Sequence, residues 1–402
     1  MKKTIRDLNL NGKNVLVRVD FNVPLKDGVV KDDNRVREAV PTIKYLIGQG
    51  AKVVLCSHLG KVDHKDPEKC AADKKKNDMK FVVATLENLL EKKVNYVDEV
   101  YGDKVDETLR NLNDGDVMLL QNTRYEKGES KNDPELAKQM AKNIDVFVMD
   151  AFGSAHRAHA STYGVAELLN NSGKETAIGF LMEKEIEALT KCVEAKEHPY
   201  VAVLGGAKVS DKIKVIEGLL NKADKIVIGG AMAYTFLKAK GVEVGKSLVE
   251  DEQLEFAKKC LKVGQGKILL PLDHIVSYDF EGTEYMPTIN ENIPDMFFGL
   301  DIGPRTRAYF DKELASAKIV FWNGPMGVFE NPSFAVGTKE VCKSIAKLDG
   351  AFSVIGGGDS ASAAKQLGFK ERFSHVSTGG GASLEMIENN GSLPGIDIIQ
   401  DK

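Results

Sequence analysis

Apolar residues fall in short unbroken runs rather than in strict alternation. Four lie in the first half: 15–21 (VLVRVDF), 52–56 (KVVLC), 116–121 (DVMLLQ) and 145–150 (DVFVMD). Five follow in the second: 200–204 (YVAVL), 225–228 (KIVI), 267–272 (KILLPL), 318–322 (KIVFW) and 352–355 (FSVI). Longer segments of helical pattern flank most of them, such as 35–47, 80–91, 211–220 and 251–262. Continuous apolar strands alternating with helices predict an α/β protein whose parallel sheets are covered on both faces.

The same pattern runs through both halves, without an internal sequence repeat. At 402 residues the chain is too long for one ordinary core, which predicts two domains. The polar stretch 168–174 (LLNNSGK) marks the expected break, giving domains at 1–170 and 171–387. A helix-like segment at 179–195 is expected to connect them or to open the second. The charged stretch 61–80 has little apolar content and is expected to be a solvated loop, with Lys74–Lys76 facing water.

Charge and cysteine usage narrow the classes. Fifty-five Lys and Arg against 59 Asp and Glu give a net charge of −4, a poor match to the clustered basic field that nucleic-acid binding needs. The five cysteines are widely spaced with no C-x-x-C pair, which points away from a disulfide framework or zinc site and toward a reducing compartment. The basic start MKKTIRDLNLNGKNV lacks the apolar run of a signal peptide, and no stretch is long and apolar enough for a membrane span. A cytoplasmic globular protein is expected.

In open α/β sheets, ligands bind beyond the carboxyl ends of the strands. In the first half those positions carry Asp20, Asn22, Ser57, His58, Asn122, Arg124 and the stretch 153–159; Arg18, Arg35, Arg37, Arg124 and Arg157 all lie in this half. Guanidinium forks suit compact anions. In the second half the same positions are glycine-rich: Gly205-Gly206-Ala207-Lys208, Gly229-Gly230, Asn323-Gly324 and Gly356-Gly357-Gly358-Asp359. Such turns let backbone amides at a helix tip approach phosphate. The first half thus resembles a small-polyanion site and the second a nucleotide site.

Single motifs leave alternatives open. Gly356–Gly358 with Asp359-Ser360 reads either as a nucleotide loop with Asp359 toward Mg²⁺ or as a helix entry capped by Asp359 or Ser360. A second glycine run, 379–381, opens another helix. Lys208 and Lys212 share a face if a helix starts there, or simply face solvent. The stretch 241–247 (GVEVGKS) is one residue short of a Walker A loop and follows a helix-like segment. His156 and His159 lack an evident third metal ligand.

Together, ten segments resemble the phosphoglycerate kinase family: RVDFNVPLKDG (18–28), NRVREAVPTI (34–43), SHLG (57–60), QNTRYEKGE (121–129), DAFGSAHRAHAST (150–162), LGGAKVSDKI (204–213), GLDIGP (299–304), WNGPMGVFE (322–330), IGGGDSASA (355–363) and HVSTGGGASLE (375–385). They occur in the family's order over nearly the whole chain. The resemblance implies two Rossmann-like domains joined by a hinge helix, with a C-terminal tail, 388–402, packing back on the first. It implies reversible phosphoryl transfer from 1,3-bisphosphoglycerate to ADP, giving 3-phosphoglycerate and ATP in glycolysis. Transfer would be in line, in an inter-domain cleft closed by hinge-bending, by a cytoplasmic monomer.

Residue by residue, the resemblance implies phosphoglycerate binding by Asp20, Phe21, Asn22, Arg35, His58, Leu59, Gly60, Lys61, Arg124 and Arg157. It implies nucleotide binding by Lys208, Gly299, Asn323, Glu330, Gly356, Gly357, Gly358, Asp359 and Ser360, with Glu330 on the ribose and Asp359 toward Mg²⁺. Arg35, Lys212, Gly357 and Gly380 are the implied catalytic set, acting on the moving phosphoryl group. One departure stands out: the family usually reads SHLGRP where this chain has SHLGKV, so Lys61 keeps a charge but loses the fork. Ser360 stands where threonine is common. A carboxylate acceptor is already ionised, so no general base is required. The rival readings fare worse: a two-domain dehydrogenase would need a G-x-G-x-x-G fingerprint, which is lacking, and a two-lobe solute-binding protein would not need Lys208, Lys212 and Asp359 together.

Overall fold

The apolar runs become strands of two six-stranded parallel sheets, eight of them inner and the run 267–272 an edge strand. The computed structural model describes residues 1–282 and 284–402. These form two units, Met1–Ile186 with Ser392–Lys402, and Glu187–Gly391.

In the first sheet the strand order is Val94–Tyr96, Val117–Leu119, Lys52–Cys56, Asn14–Val19, Val146–Asp150, Glu175–Ile178, with every pairing parallel. The chain builds outward on one side of Asn14–Val19 and then returns to build on the other. That reversal opens a crevice beyond the carboxyl ends of Asn14–Val19 and Val146–Asp150. The second sheet runs Ile268–Leu269, Lys225–Ile228, Tyr200–Leu204, Ile319–Asn323, Phe352–Ile355, His375–Val376, again all parallel. Its reversal lies between Tyr200–Leu204 and Ile319–Asn323, the Rossmann arrangement. Gly205 and Gly324 sit there. A Cβ on Gly324 would come within 2.3 Å of the Gly205 carbonyl, and its φ is +98°, so two backbones cross where only glycine fits.

The first helix shows how the sequence sets up a site. In Asn34–Gly48, Val36, Ala39, Ile43 and Leu46 repeat at helical spacing and are buried. Its first turn carries no acid but does carry Arg35, a cation at the helix end whose dipole repels it. A locally unfavourable choice of this kind is expected at functional positions.

Several expectations are corrected. The first unit runs past 170 to Ile186, because Glu175–Ile178 pairs with Val146–Asp150 and completes the first sheet. The helix Phe180–Glu194 therefore spans the division. The tail that belongs to the first unit begins at Ser392 rather than 388, since residues up to Glu388 finish the helix Gly380–Glu388. The tail is tied down by Gly395 N–H to the Ala155 carbonyl at 2.8 Å and by Asn170 Nδ2 to the Ile398 carbonyl at 2.7 Å. The stretch 61–80 is not all loop. Pro67–Lys76 is a helix, with Asp66 accepting from the N–H groups of Glu68 and Lys69, proline in the first turn and lysines in the last. A three-stranded antiparallel sheet, Tyr285–Pro287, His274–Ser277 and Phe298–Ile302, was not foreseen.

Candidate functional site

Arg18 lies within a central strand and is fully buried. A buried guanidinium must be paired. Its Nε donates to Ser161 Oγ at 2.8 Å, one terminal nitrogen to the Val19 carbonyl at 2.6 Å, and the other meets His58 Nδ1 at 3.0 Å. Arg18 has only donors, so His58 Nδ1 accepts and the imidazole is neutral. Burial, then Arg18, drives the His58 pKa well below its ordinary value, with Arg124 and Arg35 adding to the effect against Asp20. Ser161 donates to Glu129, itself buried, at 2.5 Å.

Arg35 reaches from its helix tip to Asp20, at 2.6 Å. Burial works against the Asp20 carboxylate, but the Arg35 and Arg18 guanidinium groups outweigh it and hold its pKa below the usual range. Asn22 accepts from Gly60 N–H at 2.8 Å, and Arg124 donates to the Gly60 carbonyl at 2.6 Å. A cavity of about 520 Å³ opens beside this network, with His58, Lys61, Arg124 and Arg157 on its wall. Asp20, Asn22 and Arg35 stand outside that wall; Asn22 is tied to it through Gly60 and Arg124. Phe21 and Leu59 bury their side chains in the core, with Phe21 N–H on Ser57 Oγ and Leu59 N–H on Asn122 Oδ1. The wall also carries His156 and His159, from the stretch 153–159 noted after its strand, and His64, Glu126 and Glu129, which were not singled out as candidates. Burial, followed by Arg157, takes His156 down to about 4.

In the second unit, Lys212 ends a short 3-10 turn, Ser210–Lys212, and is 9% exposed. Its ammonium donates to the side-chain oxygen of Asn323, whose amide in turn donates to the Gly356 carbonyl. Burial lowers the Lys212 pKa to about 8 against the opposing pull of Asp211 and Asp359. Lys208 is exposed in the loop before the turn, so the two lysines do not share a helix face. The helix Gly358–Gln366 has Gly357 as its N-cap and no side-chain cap, which excludes the bland capping role for Asp359 or Ser360. Ser360 Oγ instead accepts from Gly324 N–H at 2.8 Å. The helix Gly380–Glu388 likewise begins without a side-chain cap. Two uncapped tips thus offer backbone donors at one end of the sheet.

Beside them is a pocket of about 220 Å³ with Gly299, Glu330 and Asp359 on its wall, together with Tyr234, Leu248 and Phe280. A Cβ on Gly299 would sit 2.4 Å from the Tyr234 hydroxyl, so glycine lets that ring close the pocket. The structure links Lys212, Asn323 and Gly356 by hydrogen bonds, with Gly357 and Ser360 at the adjoining helix tip, and places Gly299, Glu330 and Asp359 on the pocket wall. Asp359 is felt electrostatically by Lys212. The near-Walker stretch has no strand–loop–helix context: it follows the helix Met232–Ala239, and Ser247 Oγ accepts from Gly299 N–H at 2.9 Å.

The family model for phosphoglycerate kinase matches residues 5–390. The chain belongs to the phosphoglycerate kinase family. It is 51% identical to phosphoglycerate kinase of Spiroplasma citri, over 100% of this chain and 99% of that one. It is 53% identical to phosphoglycerate kinase of Macrococcus caseolyticus over the full length of both. Phosphoglycerate kinase from Coxiella burnetii superposes with a TM-score of 0.87 at 38% identity, covering 99% of this chain and 98% of that one. As a phosphoglycerate kinase family member the chain is a phosphotransferase with a carboxyl acceptor. It catalyses the glycolytic exchange between 1,3-bisphosphoglycerate with ADP and 3-phosphoglycerate with ATP. No helix among the described residues is long and apolar enough to cross a membrane.

Proposed function

We propose that the basic cavity of the first unit binds the phosphoglycerate and that the glycine-lined pocket of the second binds the magnesium nucleotide. The observation that carries this is the buried Lys212, held by Asn323 against Gly356 beside two uncapped helix tips. A desolvated cation next to backbone donors is built for a polyphosphate, not for stability.

On the first side, Arg124, Arg157 and Lys61 hold the phosphate, His58 and Asn22 the hydroxyl and carboxyl end, and Arg35, braced by Asp20, the reacting carboxyl group. Phe21, Leu59 and Gly60 shape the wall through their backbones. On the second, Gly299 and Glu330 hold the nucleoside, and Lys208, Asn323, Gly356, Gly358 and Ser360 the phosphates and their cradle. Arg35, Lys212 and the amides at Gly357 and Gly380 stabilise the moving phosphoryl group, and transfer is in line.

The family's nucleotide chemistry implies Mg²⁺. Asp359, on the pocket wall in the first turn of its helix, fits it: magnesium is held by one or two carboxylates plus substrate phosphates. No cluster of three or more His, Cys, Asp or Glu able to hold a metal is found among the described residues, so the ion would enter with the nucleotide. It would neutralise phosphate charge. The same reading makes the protein a cytoplasmic monomer; size-exclusion chromatography tests the monomer and cell fractionation the location. A coupled assay of ATP-dependent phosphorylation of 3-phosphoglycerate tests the activity. Separate thermal shifts with MgADP and with 3-phosphoglycerate, and none with NAD, test the two sites.

A further inference from the structure

The segment after Gly60, where this chain departs from its family's pattern, packs against the basic cavity. His64 lies on the cavity wall. Its Nε2 is 2.9 Å from the main-chain carbonyl of Arg124 and its Nδ1 is 3.8 Å from Cys70 Sγ on the helix Pro67–Lys76. A carbonyl only accepts, so Nε2 carries the hydrogen.

Arg124 is thereby fixed at three points. Its N–H donates to Asn122 Oδ1 at 3.0 Å, its carbonyl accepts from His64, and its guanidinium donates to the Gly60 carbonyl at 2.6 Å. The next residue is held by the same helix: the Tyr125 hydroxyl donates to the Lys74 carbonyl, and the Lys74 ammonium lies 5.2 Å over the Tyr125 ring. Lys61 is steadied from the far end of that helix, where Asn77 Nδ2 donates to the Lys61 carbonyl at 2.8 Å. The helix has no buried residue of its own, so core packing does not explain why it lies there.

We propose that His64 is a positioning residue for Arg124, and that the helix Pro67–Lys76 is the strut which aims the cationic wall where a lysine stands in place of the family's arginine. This rests on the assignment of Arg124 to phosphoglycerate binding. A flexible lysine fixes a phosphate less firmly than a fork, so more of the orientation falls to the forks that remain, Arg124 and Arg157, and Arg124 is the one this helix braces.

The test is steady-state kinetics with 3-phosphoglycerate and MgATP varied separately. His64→Ala is expected to raise KM for 3-phosphoglycerate about three- to tenfold, the size of one lost hydrogen bond, with KM for MgATP within about twofold of the parent. His64→Gln, which keeps an N–H donor, is expected to recover most of the loss. Direct titration with 3-phosphoglycerate should show the same order of affinities. Unchanged KM in His64→Ala, equal loss for both substrates, or no recovery in the Gln variant overturns the proposal. Arg124→Ala separates the two readings. If it raises KM while His64→Ala does not, the strut fails alone; if it has no effect, the phosphoglycerate assignment fails first.

Discussion

The Lys212 ammonium donates to the side-chain oxygen of Asn323 at the carboxyl end of the strand Ile319–Asn323. A lysine is thus carried out of water with no carboxylate at hydrogen-bond distance among the described residues, and burial lowers its pKa to about 8. The unfolded value is about 10.4. Between the two, the unfolded chain binds a proton that the native one lacks, so stability rises with pH across that window; below it the full desolvation cost remains. Lys212→Met should therefore be more stable than the parent at pH 7, by about 1–3 kcal/mol, with the advantage vanishing near pH 10. Denaturant melts at both pH values check this, and a constant difference would contradict it. The same variant should lose about 2–4 kcal/mol of transition-state stabilisation.

Nucleotide binding should reverse that pKa shift. Polyphosphate beside Lys212 favours its charged form, so MgADP binding near pH 8.5 should take up a fraction of a proton. Calorimetry in two buffers of different ionisation enthalpy measures it. Lys212→Met should abolish the uptake, and an unchanged uptake in that variant would assign it elsewhere.

Arg35→Ala bears on both binding and acid stability. The Asp20 carboxyl is held below its ordinary pKa chiefly by Arg35 against the cost of burial. A depressed carboxyl pKa contributes stability above about pH 4 that is lost as pH falls through the native value. Without Arg35 that contribution should shrink, flattening the loss of stability as pH falls below about 4. Turnover should fall by about 2–4 kcal/mol in transition-state terms. Activity within tenfold of the parent would remove Arg35 from the catalytic set.

The sheets were legible in the sequence because parallel strands buried on both faces leave continuous apolar runs such as YVAVL and KIVFW. Short edge strands, Val94–Tyr96 and His375–Val376, leave no such run. Glu175–Ile178 was hidden beside a polar stretch that read as a domain break. The helix Pro67–Lys76 has no apolar face to recognise; only its Asp66-Pro67 start marks it. Among candidate residues, glycines and arginines after strands were visible by position. Glu129 and His64 were not, because their roles depend on partners, Ser161 and Arg124, that only the fold brings near.

Asp150 offers a prediction about the helix Phe180–Glu194. Its carboxyl accepts from Leu181 N–H at 3.0 Å and Met182 N–H at 3.2 Å, a cap supplied from a neighbouring strand. Burial raises its pKa to about 7 despite these bonds. A raised carboxyl pKa gives stability that is complete below about pH 4 and is lost as pH climbs through 7. Asp150→Asn keeps an acceptor and cannot ionise, so its stability should be flatter between pH 5 and 8 and exceed the parent's at pH 8. Relative to Asp150→Asn, Asp150→Ala should cost about 1–2 kcal/mol at any pH in that range by stranding the helix N–H groups. Thermal melts of the three proteins decide; parallel pH profiles would remove Asp150 as the titrating group.

Gly380 tests whether the two glycine tips work at their present separation. A Cβ there would lie 2.9 Å from Gly357 Cα and 3.3 Å from the Gly356 carbonyl. Both obstacles are backbone, so no side chain can swing aside, and the tips must move apart. Alanine is nonetheless the better helix former, by about 1 kcal/mol, and Gly380 is the first residue of its helix. The two effects act on different observables. Gly380→Ala should melt within a few degrees of the parent yet lose about tenfold or more in kcat, because displacing positioned donors by a fraction of an ångström weakens charge stabilisation in transfer. Near-parental kcat with lowered stability would mean that the close approach serves packing and that the amides at Gly380 take no part in catalysis.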